Sequence, residues 1–180
     1  MKVTSLKIPD VKLIEVDVIE DERGFFFESF NQKKFNEAIK QEINFVQDNH
    51  TKSKKGVLRG LHYQIEPFAQ GKIVRVISGE VFDVVVDIRK DSSTYGKWVS
   101  ENLSAENKKQ LWIPGGFAHG FLVLSEVAEI IYKTSKIYSK SHEKKIKYND
   151  KKLNIQWPKM TKYYLSDKDH NADIFSPSDF

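Results

Sequence analysis

Alternation of apolar and polar residues runs through most of the chain and predicts a protein built mainly of short β-strands. Runs rich in Val and Ile are typical of central strands, and the Ser78-Gly79 pair between two of them favours a hairpin. Many short strands joined by turns are typical of a sandwich, a jelly roll or a barrel. We predict strands over residues 11–19, 25–30, 43–47, 57–64, 72–77, 81–88, 97–103, 110–113, 118–124 and 128–134.

One segment departs from this period-two pattern and predicts a helix. Over residues 31–42, Phe35, Ala38 and Ile39 recur at helical spacing, and Asn31 is placed to cap the N-terminus. A second, shorter helix is predicted after Ser104, where a cap-like residue is followed by an acidic one. Because no linker or repeat divides the chain, we expect one domain over residues 1–180.

Composition narrows the range of functions. The absence of cysteine from all 180 residues excludes disulfides, thiolate metal sites and a cysteine nucleophile. The net charge of +4 comes without a recognisable nucleic-acid module, so we expect an anionic small-molecule partner rather than nucleic acid. The N-terminus lacks the apolar core of a signal peptide, and no apolar run approaches the roughly 18 residues that span a bilayer. We therefore expect a cytoplasmic protein that makes no membrane contact.

The histidines do not form a familiar metal-binding pattern. The chain has five of them, and the sequence contains neither an H-x-H pair nor an H-E-x-x-H motif. A metal-binding barrel of this kind usually draws two ligands from one strand, so their arrangement argues against a bound metal. Ligands gathered from separate strands remain an alternative.

His62 lies inside an otherwise apolar strand, and two interpretations of it stay open. A lone histidine in such a strand is commonly a core residue whose ring bonds the backbone. Arg59 and Lys72, however, are cations close to it in the predicted sheet, and they favour the neutral imidazole that can accept a proton. Arg59 and His62 would point to opposite faces of a regular strand, whereas a bulge at Gly60 would bring both to one face.

Other polar residues in the predicted strands are candidates for chemistry. Asp83 and Asp87 alternate with valines on one face of a strand, and a buried carboxylate needs a partner such as histidine or arginine. His119 begins a strand after a Gly-Gly turn. Tyr132 and Tyr138 lie on or just after a strand, where packing is the commoner role of a buried tyrosine.

Six motifs in a fixed order give these residues a context. They are DERGFFFE (residues 21–28), FVQDN (45–49), VLRGLHYQ (57–64), QGK (70–72), QLWIP (110–114) and GFAHGF (116–121). With these motifs, from about residue 10 to residue 169, the chain resembles the dTDP-4-dehydrorhamnose 3,5-epimerase family. The resemblance implies a cupin-type double-stranded β-helix, a jelly-roll barrel with a few short helices, that forms a homodimer and uses no metal or organic cofactor.

The resemblance also implies a reaction and the residues that carry it. The substrate would be dTDP-4-dehydro-6-deoxy-D-glucose, inverted at C3 and C5 on the route to dTDP-L-rhamnose, a precursor of lipopolysaccharide O-antigen. His62 matches the base of the family, Asp169 the carboxylate that pairs with it, and Tyr132 the proton donor. Lys72 matches a cation near the enolate oxygen, and Asp83 a carboxylate close to the catalytic histidine.

A larger set of residues matches the substrate contacts of the family. Arg23 and Arg59 suit a diphosphate, because a guanidinium grips phosphate oxygens with two parallel hydrogen bonds. Tyr138 matches an aromatic residue that stacks on thymine. The implied substrate contacts are Arg23, Phe26, Glu28, Gln47, Asp48, Asn49, Arg59, Lys72, His119, Tyr138, Glu143 and Lys168.

Two other functions fit the same fold. An enzyme of this type can invert only one carbon of a related nucleotide deoxysugar. A non-enzymatic cupin could bind a sugar, although such a protein would not need His62, Tyr132 and Asp169 together. A metal-dependent cupin oxygenase is disfavoured because the H-x-H pair is missing.

Overall fold

The structure, a computed structural model, describes residues 1–176 and places many of them in β-strands. The last four residues of the predicted domain, 177–180, lie outside the described residues. Two helices occur in the described part, α1 (Gln32–Ile39) and α2 (Asp167–His170). The strands are β1 (Lys2–Ser5), β2 (Lys12–Glu15), β3 (Ile19–Asp21), β4 (Gly24–Phe26), β5 (Gln47–Lys54), β6 (Leu58–Gln64), β7 (Lys72–Ser78), β8 (Glu80–Asp87), β9 (Trp98–Ser104), β10 (Gln110–Ile113), β11 (Phe117–Val123), β12 (Val127–Thr134) and β13 (Glu143–Lys145).

Two antiparallel sheets face each other and enclose the main core. One has the strand order β1-β2-β10-β7-β12-β5, the other has the order β13-β6-β11-β8-β9, and β3 pairs with β4 in a separate hairpin. Apolar side chains of both sheets meet in the interior, among them Val74 of β7, Val85 of β8 and Ile130 of β12. The predicted mainly β barrel with a few short helices is confirmed.

Two more apolar clusters cover the outer faces of the sheets. Phe35 and Ile39 of α1 pack on Ile14, Ile73 and Trp112, outside the six-stranded sheet. Residues from the C-terminal segment pack on the outer face of the five-stranded sheet. Neither helix of the described residues has the length and apolar character needed to cross a membrane.

The predicted helices had opposite outcomes. The first is confirmed as α1, and the Asn31 side chain accepts a hydrogen bond from the Lys34 amide, as an N-cap does. The helix predicted after Ser104 is wrong, because residues 105–107 form a turn instead. There the Asn107 amide donates to Ser104 Oγ and the Ser104 amide donates to Asn107 Oδ1, so the cap-like residue closes a turn.

The strand predictions were accurate for the apolar strands and wrong for one polar region. Residues 43–46 are irregular, whereas β5 covers Gln47–Lys54, whose sequence QDNHTKSK has no apolar residue. Such a strand carries no hydrophobic alternation, and its inward face lines a polar cleft instead of the core. The predicted strands at 11–19 and 25–30 are shorter in the structure, as β2 and β4.

Of the two alternatives for β6, a regular strand or a bulge at Gly60, the structure has the bulge. His62 pairs with His119 and Arg59 pairs with Phe121. Between these two pairs β6 contains one residue more than β11, which is a β-bulge. Gly60 has φ of +127°, and a Cβ atom there would lie 2.5 Å from Gly120 Cα. Only glycine therefore fits this approach of two backbones. The bulge turns Arg59 to the same side of the strand as His62.

Candidate active site

A polar cleft opens between the two sheets. It lies at the end of the barrel where β5 and β7 begin and where β6 and β12 end. Both sheets contribute side chains, so a ligand there is enclosed from opposite walls. The lining residues are Gln47, Asn49, His62, Tyr63, Gln64, Gln70, Lys72, Tyr132, Thr134, Tyr138 and Glu143.

His62 and Asp169 form a hydrogen-bonded pair at one wall of the cleft. Asp169 lies in α2 with its side chain buried, and Oδ1 bonds His62 Nε2. The other carboxylate oxygen, Oδ2, accepts a hydrogen bond of 2.9 Å from the Ser166 hydroxyl. Burial raises the pKa of Asp169, but His62, Ser166 and Lys145 together hold it below its ordinary value. Asp169 is therefore ionised at neutral pH.

The ionised carboxylate fixes the tautomer of the histidine. A carboxylate can only accept hydrogen bonds, so the Nε2 atom of His62 carries the hydrogen. In the neutral ring the lone pair is then on Nδ1, and none of the hydrogen bonds found within residues 1–176 uses that atom. The side chain is about one-third exposed and lines the cleft. His62 is thus arranged to accept a proton at Nδ1.

Lys72 is a buried cation in the same cleft. It is the first residue of β7 and is 9% exposed. Burial lowers its pKa to about 8, while the carboxylates of Asp83 and Glu143 oppose this shift. At neutral pH the ammonium is therefore largely protonated, in a place where water screens its charge poorly.

Tyr132 faces the cleft from β12, in the sheet opposite to that of His62. Burial raises the pKa of its phenol; the positive charge of Arg59 opposes this shift and the negative charge of Glu143 adds to it. The phenol therefore stays protonated throughout the neutral range. Arg59 is fixed on this inner side by a 3.1 Å hydrogen bond from Nε to Ser53 Oγ of β5.

His119 and Asp83 form a second histidine–carboxylate pair deeper in the barrel. Nε2 of His119 lies 2.9 and 3.0 Å from the two Asp83 oxygens, and both side chains are nearly or fully buried. Asp87, on the same strand face, is partnered by Arg89, Ser92 and Thr94. The expectation that buried carboxylates of β8 find histidine or arginine partners is confirmed.

Tyr138, Glu143 and Lys168 meet at the mouth of the cleft. The Tyr138 hydroxyl donates to Glu143 Oε2 over 3.3 Å, and Lys168 Nζ lies 3.7 Å from the same oxygen. Tyr138 is 48% exposed, which leaves its side chain accessible to a ligand. These contacts bring together three of the residues that match the family's substrate contacts.

The first three residues of β5 divide between the two faces of the strand. Gln47 and Asn49 line the cleft and share a 2.9 Å hydrogen bond between their side chains. Asp48 points the other way, because alternate residues of a strand face opposite sides, and it bonds Lys133 on the outer surface.

Arg23, Phe26 and Glu28 do not line the His62 cleft in the described chain. Arg23 lies in the exposed β3–β4 hairpin and pairs with its neighbour Asp21. Phe26 is 70% exposed. Glu28 pairs with Lys34 of α1. One copy of the chain therefore leaves a group of expected substrate contacts on its outer surface.

Sequence reasoning missed several residues that build the site. Ser53 anchors Arg59, Ser166 anchors Asp169, and Gln64 and Gln70 line the cleft beside the predicted residues. Gln64 and Gln70 stand within motifs of the sequence, which was a usable signal. For Ser166 the signal was a cap-like Ser followed by acids. Within residues 1–176, no group of three or more His, Asp or Glu side chains is arranged to hold a metal ion.

Comparison with known proteins identifies the family to which the chain belongs. The model of the family described as dTDP-4-dehydrorhamnose 3,5-epimerase matches residues 5–176. The dTDP-4-dehydrorhamnose 3,5-epimerase of Shigella flexneri is 62% identical over 180 residues, which cover 100% of this chain and 99% of that protein. The chain belongs to the dTDP-4-dehydrorhamnose 3,5-epimerase family.

Solved structures of epimerases share the fold of the described residues. The dTDP-6-deoxy-D-glucose-3,5-epimerase of Legionella pneumophila, solved in complex with dTDP-4-keto-L-rhamnose, is 50% identical with a TM-score of 0.94, covering 96% of this chain and 92% of that one. The enzyme of Elizabethkingia anophelis is 47% identical with a TM-score of 0.95, covering 100% and 99%. Family membership confirms the resemblance and the cupin-type barrel, and it makes the protein an isomerase rather than a non-enzymatic sugar-binding cupin.

Proposed function

We propose that the cleft inverts C3 and C5 of dTDP-4-dehydro-6-deoxy-D-glucose, with His62 as base and Tyr132 as acid. The observation that carries this proposal is the placement of the two side chains on opposing sheets, with the cation of Lys72 in the same cleft. Inversion of a carbon needs a proton removed from one face and returned to the other. A base and an acid on opposite walls meet that requirement.

The substrate ketone explains why a histidine is a strong enough base. Both C3 and C5 are bonded to the C4 carbonyl carbon, so removing either proton forms an enolate whose charge rests on the carbonyl oxygen. His62 accepts the proton at Nδ1, and the Asp169 carboxylate stabilises the imidazolium that results. Tyr132 then donates its phenolic proton to the opposite face of the carbon.

Lys72 stabilises the enolate in this scheme. Its ammonium is buried in the cleft, where a fixed charge interacts with a developing negative charge more strongly than it does in water. Such a preorganised donor lowers the barrier by about 3 to 4 kcal/mol in comparable enzymes. The buried Asp83–His119 pair lies on the neighbouring strands and holds a carboxylate close enough to act on the Lys72 charge.

The nucleotide half of the substrate binds toward the mouth of the cleft. Lys168 is a cation at this rim, and Arg59, which Ser53 holds near the beginning of β6, is the second cation that we assign to the diphosphate. Asn49 offers polar contacts from β5, and the exposed ring of Tyr138 can stack on thymine. The complex of the Legionella relative with dTDP-4-keto-L-rhamnose supports a dTDP-sugar as ligand.

A homodimer accounts for the expected contacts that one copy leaves outside. The β3–β4 hairpin exposes Phe25, Phe26 and Ile19, each at least 60% accessible. We propose that this hairpin packs against a second copy and brings Arg23 and Phe26 to the partner's cleft. A mass in solution of two chains supports this arrangement, and a monomeric enzyme with full activity contradicts it. We also propose that the reaction takes place in the cytoplasm and that it is a step on the route to dTDP-L-rhamnose.

Product analysis tests the proposed function. The protein is incubated with dTDP-4-dehydro-6-deoxy-D-glucose, and the product is identified by NMR. We expect the L-lyxo sugar, dTDP-4-dehydro-L-rhamnose, with both C3 and C5 inverted. A product inverted at only one carbon would establish the single-site epimerase instead, and unchanged substrate would overturn the proposal.

A further inference from the structure

The segment that carries Tyr138 is held by side chains rather than by a sheet. Residues 135–139, here named the strap, follow β12 with no regular secondary structure. Gln70 Nε2 donates to the Lys136 carbonyl over 2.7 Å, and the Thr134 hydroxyl donates to the same carbonyl over 2.8 Å. Gln47 Oε1 accepts a 2.9 Å hydrogen bond from the Tyr138 amide. Beyond Ser135, whose amide donates to the Gly71 carbonyl, glutamine and threonine side chains thus supply hydrogen bonds that a neighbouring strand would otherwise make.

Gln64 makes two hydrogen bonds to the strap. Its Nε2 donates to the Ile137 carbonyl over 3.2 Å, and its Oε1 accepts from the Ser139 amide over 2.7 Å. The same Nε2 also donates to the Phe68 carbonyl, outside the strap, over 2.8 Å. The side chain is 5% exposed, so water cannot replace these bonds freely. Gln64 therefore clamps the strap on both sides of Tyr138.

The pairing of β6 with β13 also helps to fix the Tyr138 ring. Gln64 is paired across the sheet with Glu143, the residue that accepts the Tyr138 hydroxyl hydrogen bond. Tyr138 is consequently held at its flanking backbone by Gln64 and at its ring by Glu143. The ring is still 48% exposed, so these contacts fix its place without covering the face that a base would use.

We propose that Gln64 is a positioning residue that sets the affinity of the cleft for the nucleotide by fixing Tyr138. This inference rests on the proposed function, in which Tyr138 stacks on the base. A ring that is already fixed loses no conformational entropy when the nucleotide binds. The binding free energy is therefore more favourable and the affinity is higher. Gln64 lies two residues from His62 but has no bond to it, so proton transfer does not depend on the amide.

A double-mutant cycle on dTDP binding tests this role. Gln64→Met keeps the length of the side chain and removes the clamp, and we expect dTDP affinity by calorimetry to fall about tenfold. Tyr138→Ala is expected to weaken binding similarly. The double variant should bind no more weakly than Tyr138→Ala, because Gln64 acts through that ring. An additive loss in the double variant, or wild-type affinity of Gln64→Met, would overturn the proposal.

Kinetics and two further variants separate this role from simple support of the fold. With the full substrate, Gln64→Met should raise KM about tenfold and change kcat less than threefold; a loss confined to kcat contradicts the proposal. Gln32→Leu is the matched control, since Gln32 bonds the Ile43 carbonyl and neither residue lines the cleft, and it should keep wild-type dTDP affinity. If Gln64→Met fails to fold, Gln64→Leu, which also removes the donor and the acceptor without adding a charge, carries the same test. Wild-type turnover, measured first, tests the proposed function separately.

Discussion

Asp169 lies 107 residues after His62 in the chain, and its carboxylate bonds Nε2 of that histidine. The bond crosses from β6 of the barrel to α2 near the C-terminus. It decides which ring nitrogen holds the hydrogen, because an ionised carboxylate only accepts. The acid–base chemistry of the cleft therefore depends on a short helix whose position is itself set by Ser166, the residue that caps it.

Ser166→Ala tests whether the Ser166 hydroxyl affects catalysis through the Asp169 carboxylate that it bonds. The Ser166 hydroxyl helps to lower the pKa of Asp169, so its removal should raise that pKa. Asp169 must be ionised to hold the tautomer, and the acidic limb of the kcat–pH profile should therefore move to higher pH. We expect kcat at neutral pH to fall about tenfold, as a lost hydrogen bond to a charged group of roughly 1.5 kcal/mol implies.

Ser166→Thr is the matched control, because threonine keeps the hydroxyl and also caps helices. It should retain the wild-type profile. An unchanged profile in Ser166→Ala would show that Ser166 supports only the fold of α2.

Gly60→Ala tests the bulge that aligns Arg59 with His62. A Cβ at residue 60 would meet Gly120 Cα at 2.5 Å, and the backbone has φ of +127°, which alanine rarely adopts. We expect the free energy of unfolding, measured with urea, to fall by about 3 kcal/mol. Gly115→Ala is the comparison, since the nearest atom to its new Cβ would be 3.5 Å away, an ordinary contact. Equal losses in the two variants would contradict this account of the bulge.

The pH dependence of turnover reports on Lys72. Its pKa is about 8 because burial disfavours the charged form, so the enolate-stabilising cation is lost as the pH rises through that value. We expect kcat to fall on the alkaline side with a midpoint near 8. Tyr132 cannot cause this limb, since burial raises the pKa of its phenol above its ordinary value.

Lys72→Met provides the control for that limb. The variant should turn over slowly and show no alkaline limb near 8. A wild-type rate that stays constant to pH 10 would mean that catalysis does not need the Lys72 charge.

Tyr132→Phe separates catalysis from binding. The change removes only the hydroxyl, so the ring still packs against the core of the barrel. We expect kcat to fall by at least about a hundredfold, the usual contribution of a general acid. The affinity for dTDP should change less than twofold. Comparable losses of turnover and of dTDP affinity would assign Tyr132 to binding or packing rather than to proton donation.

Sequence reasoning predicted the fold where apolar side chains determine it. The strands from β6 to β12 follow runs of Val, Ile and Leu that pack in the core, and α1 follows the spacing of Phe35 and Ile39. It failed at β5, whose side chains are polar because the inward ones line the cleft. The turn after Ser104 was wrongly predicted as a helix, because a serine followed by an acidic residue is typical both of turns and of helix N-termini.

The candidate site was only partly accessible to sequence reasoning. The segment from Arg59 to His62 left two alternatives open, a regular strand or a bulge at Gly60, and only the structure decides for the bulge. The partnership of His62 with Asp169 came from the family resemblance alone, since pairs distant in sequence leave no local signal. The outward placement of Arg23 and Asp48 could not be foreseen, because it depends on how the hairpin and β5 are oriented in three dimensions.

Solvent deuterium incorporation tests the central claim, that His62 is the base at both carbons. Substrate is incubated in deuterated water with wild-type protein or with His62→Asn, and the signals of C3–H and C5–H are followed by NMR. We predict deuterium at both positions with wild type, and none with His62→Asn while its fold and its affinity for dTDP are retained. Incorporation by His62→Asn at the wild-type rate would contradict the account.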